Sequence, residues 1–370
     1  MKRVHGAATM LSERSTVRRL TVLAVASVLL AGAILASIAV GSSTIPLDQV
    51  WALLRAPDRS IESHTVNELR MTRTIIGVLV GVALAVAGAV MQAVTRNPLA
   101  DPGLLGVNSG ASLAIVLGAA LGGLTSPSAQ FALSALGAMA ATALVYAIGS
   151  GAGIAAGFGW RGRRGGRRAK HGGMGGGVGG GATPVRLVLA GVALSAASTG
   201  IVGAILLLDP EVFDAFRFWD VGALTRMDMP LWIVSAAVLT GVAIVVAVAR
   251  PLSDIALGDD VAAALGTDVA RTRAIALVAL TLLCAAATAV AGPISFVGLM
   301  VPLICAWLMG PHRGWIIAAC AVTGPVLVLG ADLVGRIIAR PAEMQVGLLT
   351  AFVGAPVLLH MLGRLREGRR

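Results

Sequence analysis

Charge is scarce in this chain. Only 13% of its 370 residues are charged and 57% are hydrophobic, whereas a soluble domain carries roughly a quarter charged residues. So little polar surface excludes a water-facing fold. Lysine occurs only as Lys2 and Lys170, neither in a Gly-rich turn ending Lys-Ser or Lys-Thr, so no ATPase-type phosphate loop can form. The cysteines Cys284, Cys305 and Cys320 sit in apolar runs without metal-ligand spacing and read as small hydrophobes. Histidines are scattered at positions 5, 64, 171, 312 and 360, and no HExxH occurs. No carboxylate cluster is expected within an apolar run. Intramembrane enzymes and proton-coupled carriers both need ionisable groups inside the bundle, so neither is favoured.

Long apolar runs are what the chain has. A bilayer core of ~30 Å needs about 20 helical residues to cross it. Strand alternation of the barrel kind is absent. The expected fold is all-α and polytopic, with spans near 20–40, 74–94, 104–124, 130–149, 186–208, 231–249, 273–292, 294–310, 315–333 and 345–363. The least secure division is at Gly292-Pro293, where one kinked helix would read the same way and reverse everything downstream. The first run is long enough to be a retained helix rather than a cleaved leader.

Basic residues flank the spans and so report topology rather than nucleic-acid binding, despite a net charge of +11. With the N-terminus in the cytoplasm, only Arg55, Arg59, Arg70, Arg73, Arg217, Arg226, Arg336 and Arg340 fall outside. Both termini are then cytoplasmic. The chain divides into a cytoplasmic extension (1–19), four spans (20–149), a Gly/Arg-rich loop (150–185), six spans (186–363) and a tail (364–370). Residues 20–363 form one transmembrane domain. The stretch GWRGRRGGRRAKHGGMGGGVGGGATP cannot offset its ordering entropy by burial and reads as a flexible loop. Its arginines could also meet anionic lipid or an acidic partner. RNA binding would need more interleaved aromatics than Trp160.

Between the second and third runs lies MQAVTRNPLADPGLLGVNSGA. Asn97 and Asp101 suit turns and caps, and Pro98 and Pro102 end one helix and start the next. Taken with LVLAGVAL, IALGDDVAAALG, AGPISFVGLMVP, GADLVGR and VGLLTAFVGAPVLL, in that order and spacing, the stretch resembles the FecCD family. Its members are membrane permeases of ABC importers for ferric siderophores, haem and cobalamin, with the type II importer architecture. The resemblance covers about Leu47 to Leu362.

What the resemblance implies is specific. Asn97 and Leu99, with Thr183 and Pro184, would form a cytoplasmic gate; a plain tight turn is the simpler alternative. Gly191, Ser195, Ser198 and Thr199 would line the pathway at a dimer axis, against a rival reading as packing residues. Arg70, Arg73 and Arg336 would pair with acidic residues of an extracytoplasmic binding protein, rather than merely anchoring at head groups. The segment 252–271, including Leu257, Gly258, Asp259, Asp260, Ala264, Leu265 and Gly266, would be the coupling helices that seat in an ATPase subunit. Its early acids suit a helix start and argue against its lying on a negative leaflet.

The expected activity is therefore that of a bacterial cell-membrane permease without catalytic, metal or cofactor site. ATP is used by two partner ATPase subunits, a second permease copy or paralogue completes the pathway, and the lipid bilayer is the solvent. Ferric siderophore is the expected cargo, with haem or cobalamin as alternatives. A passive channel or secondary transporter is the rival class, and a membrane enzyme a third. The family pattern is broken at Thr72 and Gln345, where Pro is common. It is broken again at Pro302-Leu303-Ile304-Cys305-Ala306, where a PHxxR motif has lost His and Arg.

Overall fold

The computed structural model describes residues 2–43, 45–149, 184–225, 231–340 and 342–367, and every regular element among them is helical. The chain begins with α1 (Lys2–Ala39) and the short α2 (Leu47–Arg55). The long α3 (Ile61–Thr95) contains one wide π-turn at Thr65–Arg70. A 3-10 turn (Pro102–Leu105) leads into α4 (Val107–Gly122) and α5 (Pro127–Gly149). Then come α6 (Pro184–Leu208), α7 (Pro210–Asp220), α8 (Leu231–Ala247), α9 (Ala249–Leu257) and α10 (Asp259–Ala264). The chain ends with α11 (Val269–Ala291), α12 (Val297–Met309), α13 (Arg313–Ile338) and α14 (Val346–Glu367).

All ten expected spans are present as helices. Within the described residues, α1, α3, α5, α6, α11 and α13 are long and apolar enough to cross a membrane. The helices α8 and α9 form a pair bent by 54°, and α4, α12 and α14 contribute shorter apolar stretches. This is a multi-pass membrane protein.

One expected break is present, and two features add to the expectation. Helix α1 starts at Lys2, so the chain is already helical ahead of the first span at Thr16–Ala39. The division at Gly292-Pro293 is real: Gly292 (φ 73°) and Phe296 (φ 69°) leave helical space, and α12 starts afresh after them. The freed Ala291 carbonyl accepts from Ala223 N at 2.8 Å. Two short amphipathic helices, α2 and α7, were not expected. Each buries one stripe, Val50 and Leu53 in α2, and Val212, Phe216 and Trp219 in α7. Asp209, capping Glu211 N and Val212 N ahead of Pro210, is the start signal that marks α7.

Helix α3 is the axis of the bundle, with 78% of its most apolar window buried against α13, α11 and α12. Close approach there depends on missing side chains. A Cβ at Gly81 would lie 2.5 Å from Pro325 backbone, and one at Gly88 would lie 1.8 Å from the Gly298 carbonyl. By contrast α1 lies on the outside, with 11% of its window buried. Its spanning part is held where it begins by Arg18 Nη2 and Arg19 Nε, which donate to the carbonyls of Leu308 and Met309 at 3.1 and 3.0 Å. Those carbonyls end α12, where cations are favoured by the helix dipole.

Gly88→Val should force α3 and α12 apart, at a cost of about 1–3 kcal/mol or more. In detergent its thermal unfolding should come earlier and its yield of monodisperse protein should fall. Gly314→Ala, whose added methyl meets nothing within 4 Å, should match the parent in both measurements.

Candidate functional site

Helix α3 carries charge at both of its ends, and each end organises a site. At its C-terminal end Arg96 adopts the left-handed conformation (φ 51°), turning the chain out of the helix. Asn97 then closes a turn by accepting from Leu99 N at 3.0 Å. Asp101 accepts from Gly103 N at 2.7 Å and starts the 3-10 turn at Pro102. Close packing around Asp101 raises its pKa above the usual 3.8, with the Gly103 N–H pulling the other way. Asn97 and Leu99 are exposed at the tip. Of their proposed gate companions, Pro184 begins α6, and Thr183 lies outside the described residues, as do residues 150–182.

The segment 252–271 meets this same end. Leu252 and Ile255 bury the inner side of α9, while Leu257, Val261 and Leu265 stay exposed at 67%, 47% and 61%. Glycines 258 (φ 125°) and 266 (φ 87°) make the two corners of the elbow. Thr267 Oγ1 donates to Asp254 Oδ2 at 2.7 Å and closes it. Ala264 and Asp260 face outward. Asp259, with its side chain 45% exposed, is paired with Arg96 and with Arg273, whose Nη2 reaches Oδ1 at 2.8 Å and Oδ2 at 3.0 Å.

At the opposite end of α3, Arg70 and Arg73 meet α1 and α13. Arg73 Nε lies 3.1 Å from both oxygens of Asp332, its Nη2 lies 2.6 Å from Oδ1, and its Nη1 pairs with Glu343. Arg336 pairs with Asp332 one turn away and donates Nη1 to the Ser37 carbonyl at 2.9 Å. Arg70 donates to the carbonyls of Ala39 and Ser43 at 2.9 and 2.8 Å. Asp332 and Arg336 are buried almost completely, at 0% and 1% exposure. Burial pushes against ionisation of Glu343, but Arg73 outweighs it and holds the carboxylate below its usual range.

Asp332 lies singly within a spanning helix, where two arginines and the i, i+4 geometry of α13 satisfy it. The three arginines, expected to be offered to a partner, are largely turned inward onto acceptors of this chain. They nonetheless line one open pocket of about 210 Å³, together with Glu343, Thr225 and Ser43.

The four residues expected to form one pathway face on α6 do not share it. Gly191 is packed under the Leu104 carbonyl, where a Cβ would come within 1.9 Å. Ser195 shares a hydrogen bond with Ser109 on α4 at 2.9 Å, and Ser198 is buried. Only Thr199 points outward, on a face with Leu189, Val192 and Ile201 exposed. Helix spacing alone could not tell which neighbour each side of α6 would meet. Asp332, Glu343, Ser37, Arg96 and Arg273 were not singled out from sequence; Asp332 sits inside the quoted GADLVGR, where i, i+4 spacing to Arg336 was the available signal.

Comparison with known proteins matches the model of the FecCD transport family to residues 29–157 and 174–364. The ferric enterobactin transport system permease protein FepD of Escherichia coli (strain K12) is 41% identical over 333 residues, 90% of this chain and 92% of FepD. The Fe(3+)-citrate import system permease protein YfmD of Bacillus subtilis (strain 168) is 34% identical, covering 90% of each chain. The hemin transport system permease protein HmuU of Yersinia pestis is 32% identical over 83% of this chain and 85% of its own. In fold, the chain is similar to an inward-facing metal-chelate type ABC transporter, with a TM-score of 0.75 and 22% identity over 93% of this chain and 99% of that one.

Asp332→Asn should leave two buried guanidinium groups short of a counter-charge. Breaking one partner out of a buried ion pair typically costs about 3–5 kcal/mol. Thermal unfolding of the purified variant in detergent should show a clear loss of stability, larger than that of Glu343→Gln at the half-exposed edge of the same network.

Proposed function

The chain belongs to the FecCD transport family and is a membrane permease subunit of an ABC importer; from that premise we propose that its cargo is a ferric siderophore, received from an extracytoplasmic binding protein. The observation that carries the ATP-driven reading is the elbow at residues 252–271. Its exposed Leu257, Val261 and Leu265 flank the turn at Gly258-Asp259-Asp260, at and beyond the end of the bent α8–α9 pair. Apolar side chains grouped in that way mark a protein contact. An ATPase subunit is the partner that would use it, one for each of two permease copies or close relatives.

The remaining parts follow from this placement. The end with the Asn97 turn and the elbow is cytoplasmic, in keeping with the excess of basic residues there, and both termini lie on that side. The apolar outer face of α6, from Leu189 to Ile201, is where a second permease would sit, with Thr199 toward the shared pathway. Asn97 and Leu99 would close that pathway from the cytoplasm. ATP binding to the partners would shift the permease between inward-open and outward-open states, since a ligand or nucleotide can shift only an equilibrium whose states it distinguishes. At the opposite end Arg70, Arg73 and Arg336 carry three positive charges against the two negative charges of Asp332 and Glu343. The surplus suits an acidic side chain of the binding protein entering the pocket, which steers docking more than it adds affinity. Among named relatives, transport of ferric enterobactin belongs to the most similar one cited above, and haemin to a more distant one.

Proteoliposomes holding the permease, its ATPase and its binding protein should take up ferric enterobactin only with ATP present. Uptake by the permease alone would refute the reading, and uptake of haemin in preference would change the cargo. At low salt, Arg340→Glu at the exposed rim should weaken binding of the binding protein severalfold. Glu343→Gln, which removes a competitor for Arg73, should strengthen it. Both effects should shrink as salt screens them.

A further inference from the structure

We propose that Asp259 is a clasp inside the coupling elbow rather than a contact to the ATPase. Its carboxylate joins the elbow to the end of α3 through Arg96 and to α11 through Arg273. Arg96, 163 residues away in sequence, and Arg273, 14 residues on, therefore meet on one side chain. Arg96 precedes the exposed gate turn directly, so displacement of the elbow is transmitted to Asn97 and Leu99 through an ion pair and one peptide unit.

Two observations carry this. The first is pairing. Asp259, though half exposed, holds two arginines, whereas its neighbour Asp260 makes no ion pair among the described residues. Arg273 is itself buried at 9% exposure, and no other acidic residue pairs with it among the described residues. A buried guanidinium without that partner would be left with an unmet charge.

The second is the backbone of Arg96. A left-handed residue at a helix end is ordinarily glycine, because an L side chain is strained there. Arginine at such a position, with its guanidinium on Asp259, is accounted for by the side chain's use and not by the turn. The exposed part of the triad has little stabilising value by itself, since water screens ion pairs at a surface. Its value lies in geometry: the bridge sets how the elbow and the gate turn move together.

The clasp rests on the coupling reading of residues 252–271, and the two can fail separately. The test uses the full complex of permease, ATPase and binding protein in lipid nanodiscs, with Leu99→Cys as a reporter. The native cysteines are all buried, so maleimide labelling reports position 99. In the parent, trapping the ATPase with ATP and vanadate should change the labelling rate. Asp259→Asn and Arg273→Gln should lose that change while the ATPase still co-purifies, and Asp259→Glu should restore part of it. Arg96→Gly, which relaxes the left-handed turn and so guards against simple misfolding, should lose the change as well.

Three results would overturn the clasp: a labelling change that persists in Asp259→Asn, one that persists in Arg96→Gly, or loss of ATPase co-purification on Asp259→Asn. Leu265→Asp is the control for the underlying reading and should release the ATPase. If the ATPase stays bound to that variant, the elbow is not its seat and the coupling reading falls first.

Discussion

Inside a bilayer there is no water to expel from between two helices, so the bundle must be held by contact at short range and by polar groups that find one another. Helix α3 meets this constraint along its whole length. Its middle has glycine where α12 and α13 come closest, at Gly88 against Gly298 and at Gly81 against Gly324 and Pro325. Its two ends have arginines that bind the rest of the chain, Arg70 and Arg73 on one side and Arg96 on the other. The centre is tight and apolar, and the ends are charged. This division ties the pocket beside Arg70 and Arg73 and the elbow at Asp259 to the two ends of a single helix.

The two charged ends differ in environment, and that difference suits different tasks. Asp332 is sealed between Arg73 and Arg336, where a low dielectric makes any unpaired charge costly. That end is built to keep one arrangement. The Arg96–Asp259–Arg273 group is half open to solvent, with weaker and more exchangeable contacts. One end of α3 is thus a sealed frame and the other an adaptable junction, and the burial of the two clusters sets that contrast.

Much of this was legible in the sequence because lipid imposes a simple code. Runs such as 273–292 and 315–333 announce themselves by length and apolarity, and Gly292-Pro293 marks a real break. The order of motifs around Asn97 and Asp101 was enough to identify the family. Helices α2 and α7 escaped because short amphipathic elements carry no span-length signal, although Asp209-Pro210 announces the start of α7. Pairing escaped too. Nothing local to Arg73 indicates Asp332, which lies 259 residues away, and no periodicity could show that Gly191, Ser195 and Ser198 face their own chain while Thr199 faces out. The residues were visible, and their partners were properties of the packed bundle.

The spanning part of helix α1, Thr16–Ala39, is clipped at both of its ends and nearly bare between them. Arg18 and Arg19 hold Leu308 and Met309, and some twenty residues later Ser37 and Ala39 receive Arg336 and Arg70. Composition along its lipid-facing middle is therefore free to drift between one apolar residue and another, while its length is not. One inserted residue would turn everything beyond it by about 100° and advance it ~1.5 Å, so that only one of the two clips could still close.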